Sequence, residues 1–589
     1  MREAQERQFK THDGTSLFYR HWPRISGEGP SRAIVLLHRG HEHSGRVQHV
    51  VDELELHDFD MYAWDARGHG RSPGPRGDSP SFGTSVRDAD VFLRHLQSEH
   101  GVEPANVVVV GQSVGAVLVS TWVHDYAPPI RGMVLTTPAF DVRLYVPLAR
   151  PALALWYRYH GNFFINSYVK AKLLTHDPER IRSYDADPLI TRAISARILL
   201  GLYEAGDRVV ADAQAIRVPT QLLVSDADWV VHREPQDRFF ERLGSRVKER
   251  HLLHGFFHDT LGERDRKVAL DHVRSFVERV FRDEPAQVAD AAAFRQAHRT
   301  GYTRDEEERM AWPLPALSLR NLRFALTRLS MRTLGRLSDG IRLGFETGFD
   351  SGATLDYVYR NEARGFTPLG PLIDRSYLDA VGWRGIRQRK VHLGEAIGAA
   401  AKRLADAGQL VRIVDVAAGH GRYVLDAVAA LPTRPESVLL RDYSAANVTA
   451  GTALIAERGL GDVARFDAGD AFDAESLAAL AQAGTGPNLA IVSGLYELFS
   501  DNDLVARSLD GLSRAVASGG YLVYTGQPWH PQIEMIARTL TSHRGGAPWI
   551  MRRRPQAEMD SLVAAAGFEK IEQWIDEWGI FTVSLARRR

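Results

Sequence analysis

The sequence predicts an α/β protein with two doubly wound domains, each a mainly parallel sheet covered by helices. At 589 residues the chain is longer than a single hydrophobic core accommodates. Residues 107–110 are four consecutive valines, typical of a strand buried on both faces, and a glycine-rich turn and a helical segment follow them. A second apolar strand at residues 411–416 also leads into a glycine-rich turn and a helix.

The composition narrows the class of protein. Basic and acidic residues both number 73, so the formal net charge is zero and no overall field favours nucleic acid as a partner. Cysteine is absent, which excludes disulfides, thiolate metal ligands and thiol nucleophiles. The N-terminus lacks the apolar stretch of a signal peptide, and no run approaches the roughly 18 apolar residues of a membrane span. We therefore expect a cytoplasmic protein.

The first domain is predicted to cover residues 1–282. Residues 9–22 alternate around Asp13 and Gly14, as a β-hairpin does. Buried strands are predicted at residues 33–37, 60–64, 107–110, 132–136, 220–224 and 250–253. Residues 144–206 are too many for a plain connection, and their start is apolar and aromatic. We expect them to form a helical cap that lines a substrate pocket.

The valine strand ends in a G-x-S-x-G pattern, Gly111-Gln112-Ser113-Val114-Gly115. Between a strand and a helix this pattern indicates a nucleophile elbow, because the glycines permit a sharp turn that exposes the central serine. Ser113 is therefore the predicted catalytic nucleophile. The backbone N–H groups of Gly40 and Val114 are the predicted oxyanion donors.

A serine nucleophile on such a sheet needs an acid and a histidine later in the chain, in that order. Asp228 follows the strand at 220–224 and His258 follows the strand at 250–253. His258 is predicted to act as the base, and Asp228 is predicted to orient it. Asp226 and His254 are the local alternatives. His38, His41 and His43 lie in one loop, but no matching carboxylate spacing follows, so no metal site is predicted.

Several stretches of the first 280 residues carry a specific resemblance: HRGHEHSGR, DARGHGRS, GQSVGA, YDADPLITR, VSDADWVV and GFFHDTLGE. Together they resemble an α/β-hydrolase of the monoacylglycerol lipase and lysophospholipase type. The resemblance implies a serine hydrolase that acts on a lipid or acyl ester, with Asp228 at the position of the acid. Arg39 stands where the family usually has glycine, which places a larger side chain beside the acyl site.

Residues 283–345 are predicted to form a helical connector. Within residues 317–343, one helical face carries an apolar stripe and the opposite face carries arginines. The stripe comprises Leu319, Leu322, Leu326, Leu329, Leu337 and Ile341. Two interpretations remain open. The helix packs between domains with its arginines in water, or it makes peripheral contact with an anionic membrane.

The second domain is predicted to cover residues 346–589. The strand at 411–416 contains Asp415, and Ala417, Gly419 and Gly421 follow it in a loop of the kind that surrounds a nucleotide-like ligand. Asp442 ends the next strand, where a carboxylate can bind a ribose diol. Further on, Asp470, Ala471 and Phe472 combine an acid and an aromatic ring that can hold an adenine. Residues 570–574 and 580–586 are predicted to close the sheet as an antiparallel pair.

This pattern resembles a class I S-adenosylmethionine-dependent methyltransferase. The resemblance implies S-adenosylmethionine as cofactor and seven cofactor-binding positions: Asp415, Ala417, Gly419, Gly421, Asp442, Asp470 and Ala471. Ala417 stands where the family has its first loop glycine, and NAD is the alternative ligand. His530, after the fifth strand, is a candidate base on the acceptor side.

The order of hydrolase and then methyltransferase matches a fused bifunctional protein. We expect an ester hydrolase joined to a methyltransferase that acts on a small or lipid acceptor. The alternative is that one half is a non-catalytic binding or scaffolding module, as the departures at Arg39 and Ala417 suggest.

Overall fold

The structure is a computed structural model that describes residues 1–283, 286–483 and 486–589. The chain forms two compact units, Met1–Asp290 and Ala291–Arg589. Each unit contains a large sheet with a parallel centre, which confirms the predicted α/β class. Most of the predicted connector, residues 291–345, lies within the second unit.

The first unit is built on an eight-stranded sheet. Its strands and a separate small pair are β1 (Gln5–Lys10), β2 (Ser16–Trp22), β3 (Arg32–Leu37), β4 (Phe59–Trp64), β5 (Val107–Gln112), β6 (Gly132–Thr136), β7 (Phe164–Asn166), β8 (Ala193–Ser195), β9 (Thr220–Ser225) and β10 (Lys248–Leu253). The order in the large sheet is β1-β2-β4-β3-β5-β6-β9-β10. The predicted hairpin is β1 with β2. In the large sheet, the neighbouring strands of the series β4-β3-β5-β6-β9-β10 pair in parallel.

Helices cover this sheet: α1 (Gln48–Glu53), α2 (Phe82–His100), α3 (Val114–Tyr126), α4 (Ala149–His160), α5 (Pro178–Ala186), α6 (Ala196–Ala211), α7 (Glu234–Arg242) and α8 (Lys267–Arg282), with α9 (Ala286–Arg295) crossing into the second unit. Helix α2 begins at Ser81, whose side chain accepts the N–H of Thr84, and ends at Gly101 in the left-handed conformation. The predicted helical cap contains α4 and α5, but it also contains the antiparallel pair β7 and β8, which the helical prediction missed.

The second unit is built on a seven-stranded sheet with the order β13-β12-β11-β14-β15-β17-β16. In chain order these strands are β11 (Arg412–Val416), β12 (Ser437–Asp442), β13 (Ala464–Ala468), β14 (Leu489–Val492), β15 (Tyr521–Gly526), β16 (Phe568–Ile575) and β17 (Thr582–Arg588). The first five pair in parallel, and β17 and β16 close the sheet as the predicted antiparallel pair.

The helices of the second unit are α10 (Ala297–Thr300), α11 (Tyr302–Ala311), α12 (Leu319–Arg332), α13 (Asp339–Thr347), α14 (Gly352–Arg360), α15 (Gly370–Leu378), α16 (Val381–Asp406), α17 (Arg422–Ala429), α18 (Ala445–Glu457), α19 (Ala474–Ala478), α20 (Asn502–Ala515), α21 (Ile533–Thr539) and α22 (Gln556–Ala565). Buried side chains of α16 and α17 pack with those of β11 and β12 in one core cluster. A second cluster joins the other face of β14 and β15 to α20 and α22.

The prediction of one continuous helix over residues 317–343 is wrong. Helix α12 ends at Arg332, a short 3-10 turn spans Leu334–Leu337, and α13 begins after Ser338. The Ser338 side chain accepts the N–H of Ile341, so this serine starts a new helix instead of continuing the old one.

The leucine stripe of α12 is not buried against the rest of the second unit. Leu319 and Leu326 are 86% and 68% exposed, and Leu322 and Leu329 are exposed as well. Phe324 is the buried residue of this helix. Helix α12 therefore turns its leucines to solvent, whereas Ile341 on α13 is buried.

A buried arginine explains why α11, a helix of the predicted connector, belongs to the second unit. The Arg552 side chain is fully buried and donates to Glu558 Oε1 at 2.7 Å and to Asn502 Oδ1 at 2.7 Å. It also donates to Thr303 Oγ1 on α11 at 2.9 Å, and the neighbouring Arg553 pairs with Glu306 on the same helix. These contacts hold α11 against the sheet domain.

None of the helices in the described ranges is both long enough and apolar enough to span a lipid bilayer.

We expect Glu558→Ala to destabilise the second unit by about 3 kcal/mol or more, because it leaves the Arg552 charge buried without its carboxylate. Scanning calorimetry should show this as a lower melting temperature. Glu475→Ala is the matched control, since Glu475 forms an exposed pair with Arg514 and exposed pairs contribute under about 1 kcal/mol. Equal melting temperatures for the two variants would contradict the role given to Arg552.

Candidate active sites

Ser113 lies at the turn between β5 and α3, with φ 56° and ψ −113°. A positive φ is rare for a residue with a side chain and marks a strained turn. The two flanking glycines allow this turn. A Cβ on Gly111 would lie 2.7 Å from the Gly115 carbonyl oxygen, and a Cβ on Gly115 would lie 2.5 Å from the Leu37 carbonyl oxygen. Any other residue at these positions would therefore displace the elbow.

The structure brings the three predicted triad residues together. Ser113 Oγ lies 2.8 Å from His258 Nε2, and His258 Nδ1 lies 2.7 Å from Asp228 Oδ2. All three residues are buried. Burial alone would raise the pKa of Asp228, but His258 and the N–H groups of Val230 and Val231 outweigh it, so that this pKa lies below its ordinary value. Asp228 is therefore ionised and can hold the imidazole in the tautomer that accepts the serine proton.

The two alternative residues form a separate pair. His254 Nδ1 lies 2.8 Å from Asp226 Oδ2, and Asp226 also accepts the N–H of Gly255. The His254 side chain is 79% exposed. Neither residue hydrogen-bonds Ser113 in the described part of the chain, so the geometry favours Asp228 and His258.

Gly40 and Val114 lie side by side next to Ser113. A Cβ on Gly40 would come within 3.1 Å of the Val114 side chain, and both residues line the cavity that contains Ser113. Among the described residues no hydrogen bond uses the backbone N–H of either one. Both N–H groups therefore lack a protein acceptor among the described residues, as the donors of an oxyanion site must.

Arg39 is buried in an ionic network that was not predicted. Its guanidinium donates to Glu42 at 2.7 Å and lies 3.5 Å from Asp259, the residue after His258. Asp259 also pairs with Arg180 and accepts a hydrogen bond from Gln112 at 2.8 Å. Burial opposes ionisation of Asp259, but Arg180 and Arg39 hold its pKa well below the usual range. The sequence did contain a signal for this network: one acid, Glu42, lies three residues after Arg39, and another, Asp259, lies next to the predicted base.

The cavity beside Ser113 has a volume of about 140 Å³. Cap residues supply much of its apolar wall, including Leu144, Ile165, Val169, Ile194, Ile198 and Leu202. Ser113 and His258 both line it, so a substrate in this cavity would contact the nucleophile and the base.

In the second unit, the predicted glycine-rich loop connects β11 to α17 through left-handed backbone. Ala417, Gly419 and Gly421 have φ of 58°, 59° and 72°. Glycine reaches this region without a steric penalty, whereas alanine carries a cost on the order of 1–2 kcal/mol. Ala417 therefore retains the turn that a glycine would make, with some strain.

Asp442 ends β12 and supports this loop. Its Oδ2 accepts the N–H of Gly419 at 2.9 Å, and its Oδ1 accepts the N–H of Ser444 at 2.9 Å and the Asn447 amide at 3.1 Å. A carboxylate offers about four acceptor positions, so these three bonds leave roughly one for a ligand hydroxyl.

Asp415 does not line the cavity around the glycine-rich loop. Its position therefore does not support its assignment as a cofactor-binding residue. It is fully buried, and the Tyr423 hydroxyl lies 2.6 Å and 2.7 Å from its two oxygens. Burial raises the pKa of Asp415 to about 8, with Asp442 adding to the shift and Tyr423 opposing it. This carboxyl is therefore largely neutral at pH 7, and its hydrogen-bond partner is Tyr423 on α17.

The other six predicted cofactor positions line one cavity of about 670 Å³: Ala417, Gly419, Gly421, Asp442, Asp470 and Ala471. Phe472 and Phe499 also line it, with their rings packed edge to face at 4.6 Å. Tyr443, beside Asp442, is a further aromatic wall that the sequence did not single out. Acidic groups and aromatic faces around a glycine-rich loop suit a nucleoside ligand.

In the described part of the chain, one group of side chains is close enough together to be considered as metal ligands: His298, Asp501 and Asp503. Arg299 donates to His298 Nε2 at 3.1 Å and to Asp503 at 2.7 Å. A guanidinium therefore already occupies this group, and we assign no metal to it.

Two family models match this chain. Residues 273–588 match a family model described as "Putative methyltransferase", and residues 28–265 match one described as "Serine aminopeptidase, S33". The chain is 56% identical to the uncharacterized protein YnbC of Escherichia coli K12, over 99% of this chain and 98% of that protein.

Monoacylglycerol lipases are among the other relatives of this chain. A monoacylglycerol lipase of Mycolicibacterium smegmatis is 27% identical over 46% of this chain and 96% of its own length. Human monoglyceride lipase is 27% identical over 42% of this chain and 80% of its own length. The crystal structure of a Paleococcus ferrophilus monoacylglycerol lipase aligns with a TM-score of 0.40 at 24% identity, over 47% of this chain and 99% of that one.

The methyltransferase model covers more than half of the chain, and YnbC aligns over nearly its whole length. The chain therefore belongs to the YnbC-like family, in which a lipase-like serine hydrolase domain precedes a domain of the methyltransferase family.

Proposed function

We propose that this chain is a bifunctional enzyme, with a serine ester hydrolase in the first unit and an S-adenosylmethionine-dependent methyltransferase in the second. The observation that carries the first half is the hydrogen-bonded series Ser113, His258 and Asp228 beneath an apolar pocket. The second half rests on the cavity around the glycine-rich loop and on the family of the domain.

In the hydrolase, Ser113 Oγ attacks the ester carbonyl while His258 Nε2 takes its proton. The N–H groups of Gly40 and Val114 stabilise the oxyanion. His258 then protonates the leaving alcohol, and water releases the acyl group by the reverse sequence. Asp228 stabilises the imidazolium throughout. The apolar cavity and the similarity to monoacylglycerol lipases support a monoacylglycerol-like or lysophospholipid-like ester as substrate.

In the methyltransferase, Asp442 and the backbone at Gly419 and Gly421 would hold the ribose side of the cofactor. Ala471 and Phe472 would contact the adenine, with Asp470 beside them. When bound, S-adenosylmethionine supplies a methyl group carried on a positively charged sulfur.

We also propose that α12 contacts an anionic membrane. Its leucines are exposed, and Arg323, Arg332 and Arg336 are exposed around them. Apolar side chains flanked by arginines fit the boundary between lipid headgroups and acyl chains, where each basic residue contributes about 1 kcal/mol.

We expect a fluorophosphonate probe to label the wild-type chain at Ser113 and not to label Ser113→Ala. Turnover of a monoacylglycerol should fall about 10⁴-fold in His258→Ala, because the triad acts as a unit. His254→Ala is the matched control and should retain activity. Labelling that survives in Ser113→Ala would overturn the assignment, and unlabelled wild type would favour a non-catalytic first unit.

We expect Asp442→Ala to weaken S-adenosylmethionine binding by roughly 1.5–3 kcal/mol, because a charged hydrogen-bond partner is lost. Isothermal titration calorimetry measures this directly. Asp462→Ala is the control, since Asp462 forms an exposed pair with Arg434. Binding of NADH in place of S-adenosylmethionine would favour the dinucleotide alternative, and binding of neither would contradict the proposal.

We expect the wild-type chain to float with vesicles of anionic phospholipid at low salt and to be released at high salt, since screening weakens the arginine contacts. Leu322→Ser with Leu326→Ser should abolish flotation without lowering the melting temperature. Leu410→Ser, at another exposed leucine of this unit, is the control. Wild-type chain that stays unbound would rule out the membrane contact.

A further inference from the structure

A second large cavity lies in the methyltransferase unit and has no role in the sites described above. Its volume is about 520 Å³, which falls within the range of small-molecule pockets. Its walls are mostly apolar and include Ile341, Ile373, Trp383, Ile386, Trp549 and Phe581. An apolar cavity of this size is suited to a ligand with substantial hydrophobic surface.

This cavity adjoins the cavity of the glycine-rich loop. Five residues line both: Asp350, Leu355, Arg389, Gly494 and Leu498. A molecule in the apolar cavity would therefore lie next to a ligand held by the loop. This is the placement that a methyl acceptor requires, so the inference rests on the proposed methyltransferase function.

His530 supplies a polar group to this cavity. The residue is 4% exposed, and its Nδ1 accepts the N–H of Gln532 at 3.0 Å. Burial lowers the pKa of His530 to about 4, so the ring is neutral at pH 7. A neutral ring whose Nδ1 accepts must carry its proton on Nε2. His530 is therefore a hydrogen-bond donor to a ligand and not the acceptor-side base suggested by the sequence.

Glu497 supplies a hydrogen-bond acceptor to the same cavity, which complements the donor of His530. Its Oε1 accepts the Thr525 hydroxyl at 2.7 Å and lies 3.8 Å from Arg389 Nη1, whereas Oε2 has no hydrogen-bond partner among the described residues. Thr525 in turn accepts the N–H of Gly494 at 2.8 Å, which fixes the carboxylate. Arg389 offsets only one of the two carboxylates that line the cavity, Glu497 and Asp350, so the cavity favours a neutral ligand over an anionic one.

We propose that this cavity is the acceptor site of the methyltransferase and that it takes a neutral, largely apolar molecule with a weakly acidic hydroxyl group. His530 Nε2–H donates to the polar end of this molecule, and the carboxylate of Glu497, which lines the cavity, accepts its hydroxyl proton. In the reaction the hydroxyl proton moves to Glu497 and the acceptor oxygen bonds to the methyl carbon. The bond from that carbon to the cofactor sulfur breaks, with its electron pair left on sulfur.

Isothermal titration of the full chain without cofactor tests the site. The probes are 2-naphthol, which is neutral and has a hydroxyl, and 2-naphthoate, which has the same rings and a carboxylate. We expect 2-naphthol to bind with a Kd below about 1 mM, and 2-naphthoate to bind at least tenfold more weakly because its charge meets Glu497. Absent or equal binding of the two probes would overturn the proposal.

Two variants locate the binding. His530→Phe should weaken 2-naphthol binding about tenfold, since a donor to the ligand is lost. Glu497→Gln should reduce the preference for 2-naphthol over 2-naphthoate, because the repelling charge is gone. His254→Phe, at the exposed histidine of the first unit, is the matched control for the first change. Affinities unaltered in both variants would place the probe elsewhere and overturn the proposal.

A parallel titration with S-adenosylmethionine separates this inference from the function on which it rests. If the cofactor binds and 2-naphthol does not, the acceptor site is wrong and the methyltransferase stands. If 2-naphthol binds selectively and the cofactor does not bind, the apolar cavity is a ligand site, but its proposed role in methyl transfer is wrong.

Discussion

Both units depend on a strained turn between a parallel strand and the following helix. Ser113 after β5 and Ala417 after β11 are non-glycine residues with φ near 57°, at 56° and 58°. The carboxyl ends of neighbouring parallel strands meet at the same edge of a sheet, so a sharp turn there brings the reacting groups of several loops together. The sheets hold these turns in place because hydrogen bonds along β5 and β11 fix the strand ends.

Buried charges determine how the loops around these turns are arranged. Asp259 and Glu42 hold Arg39 in the first unit, and Glu558 and Asn502 hold Arg552 in the second. Such networks contribute little net stability compared with apolar packing, but removing one member is costly. Their effect is therefore to specify one arrangement of the chain, which is what a site with hydrogen bonds of 2.7–2.8 Å requires.

Local patterns in the sequence were sufficient for the sheet strands and for most of the site positions. The valine run of β5 and the elbow glycines predict Ser113 from residues that are adjacent in the chain. The order of strands predicts Asp228 and His258 but leaves Asp226 and His254 as alternatives, and the choice of Asp228 also used the family resemblance. The sequence was less informative where contacts between distant residues decide the structure. The break after Arg332 depends on the Ser338 cap, the exposure of the α12 leucines depends on which face Phe324 buries, and Asp415 is set apart by Tyr423.

Two residues that depart from their families, Arg39 and Ala417, suggested a non-catalytic half. Arg39 is a bulky residue in the predicted oxyanion loop, beside the acyl site. Glu42 and Asp259 bind the Arg39 guanidinium, and the N–H of Gly40 stays without a partner among the described residues. Ala417 likewise adopts the left-handed backbone of a glycine, at a cost smaller than the usual stability of a domain. In both loops the substitution changes the side chain and leaves the backbone geometry on which the chemistry depends.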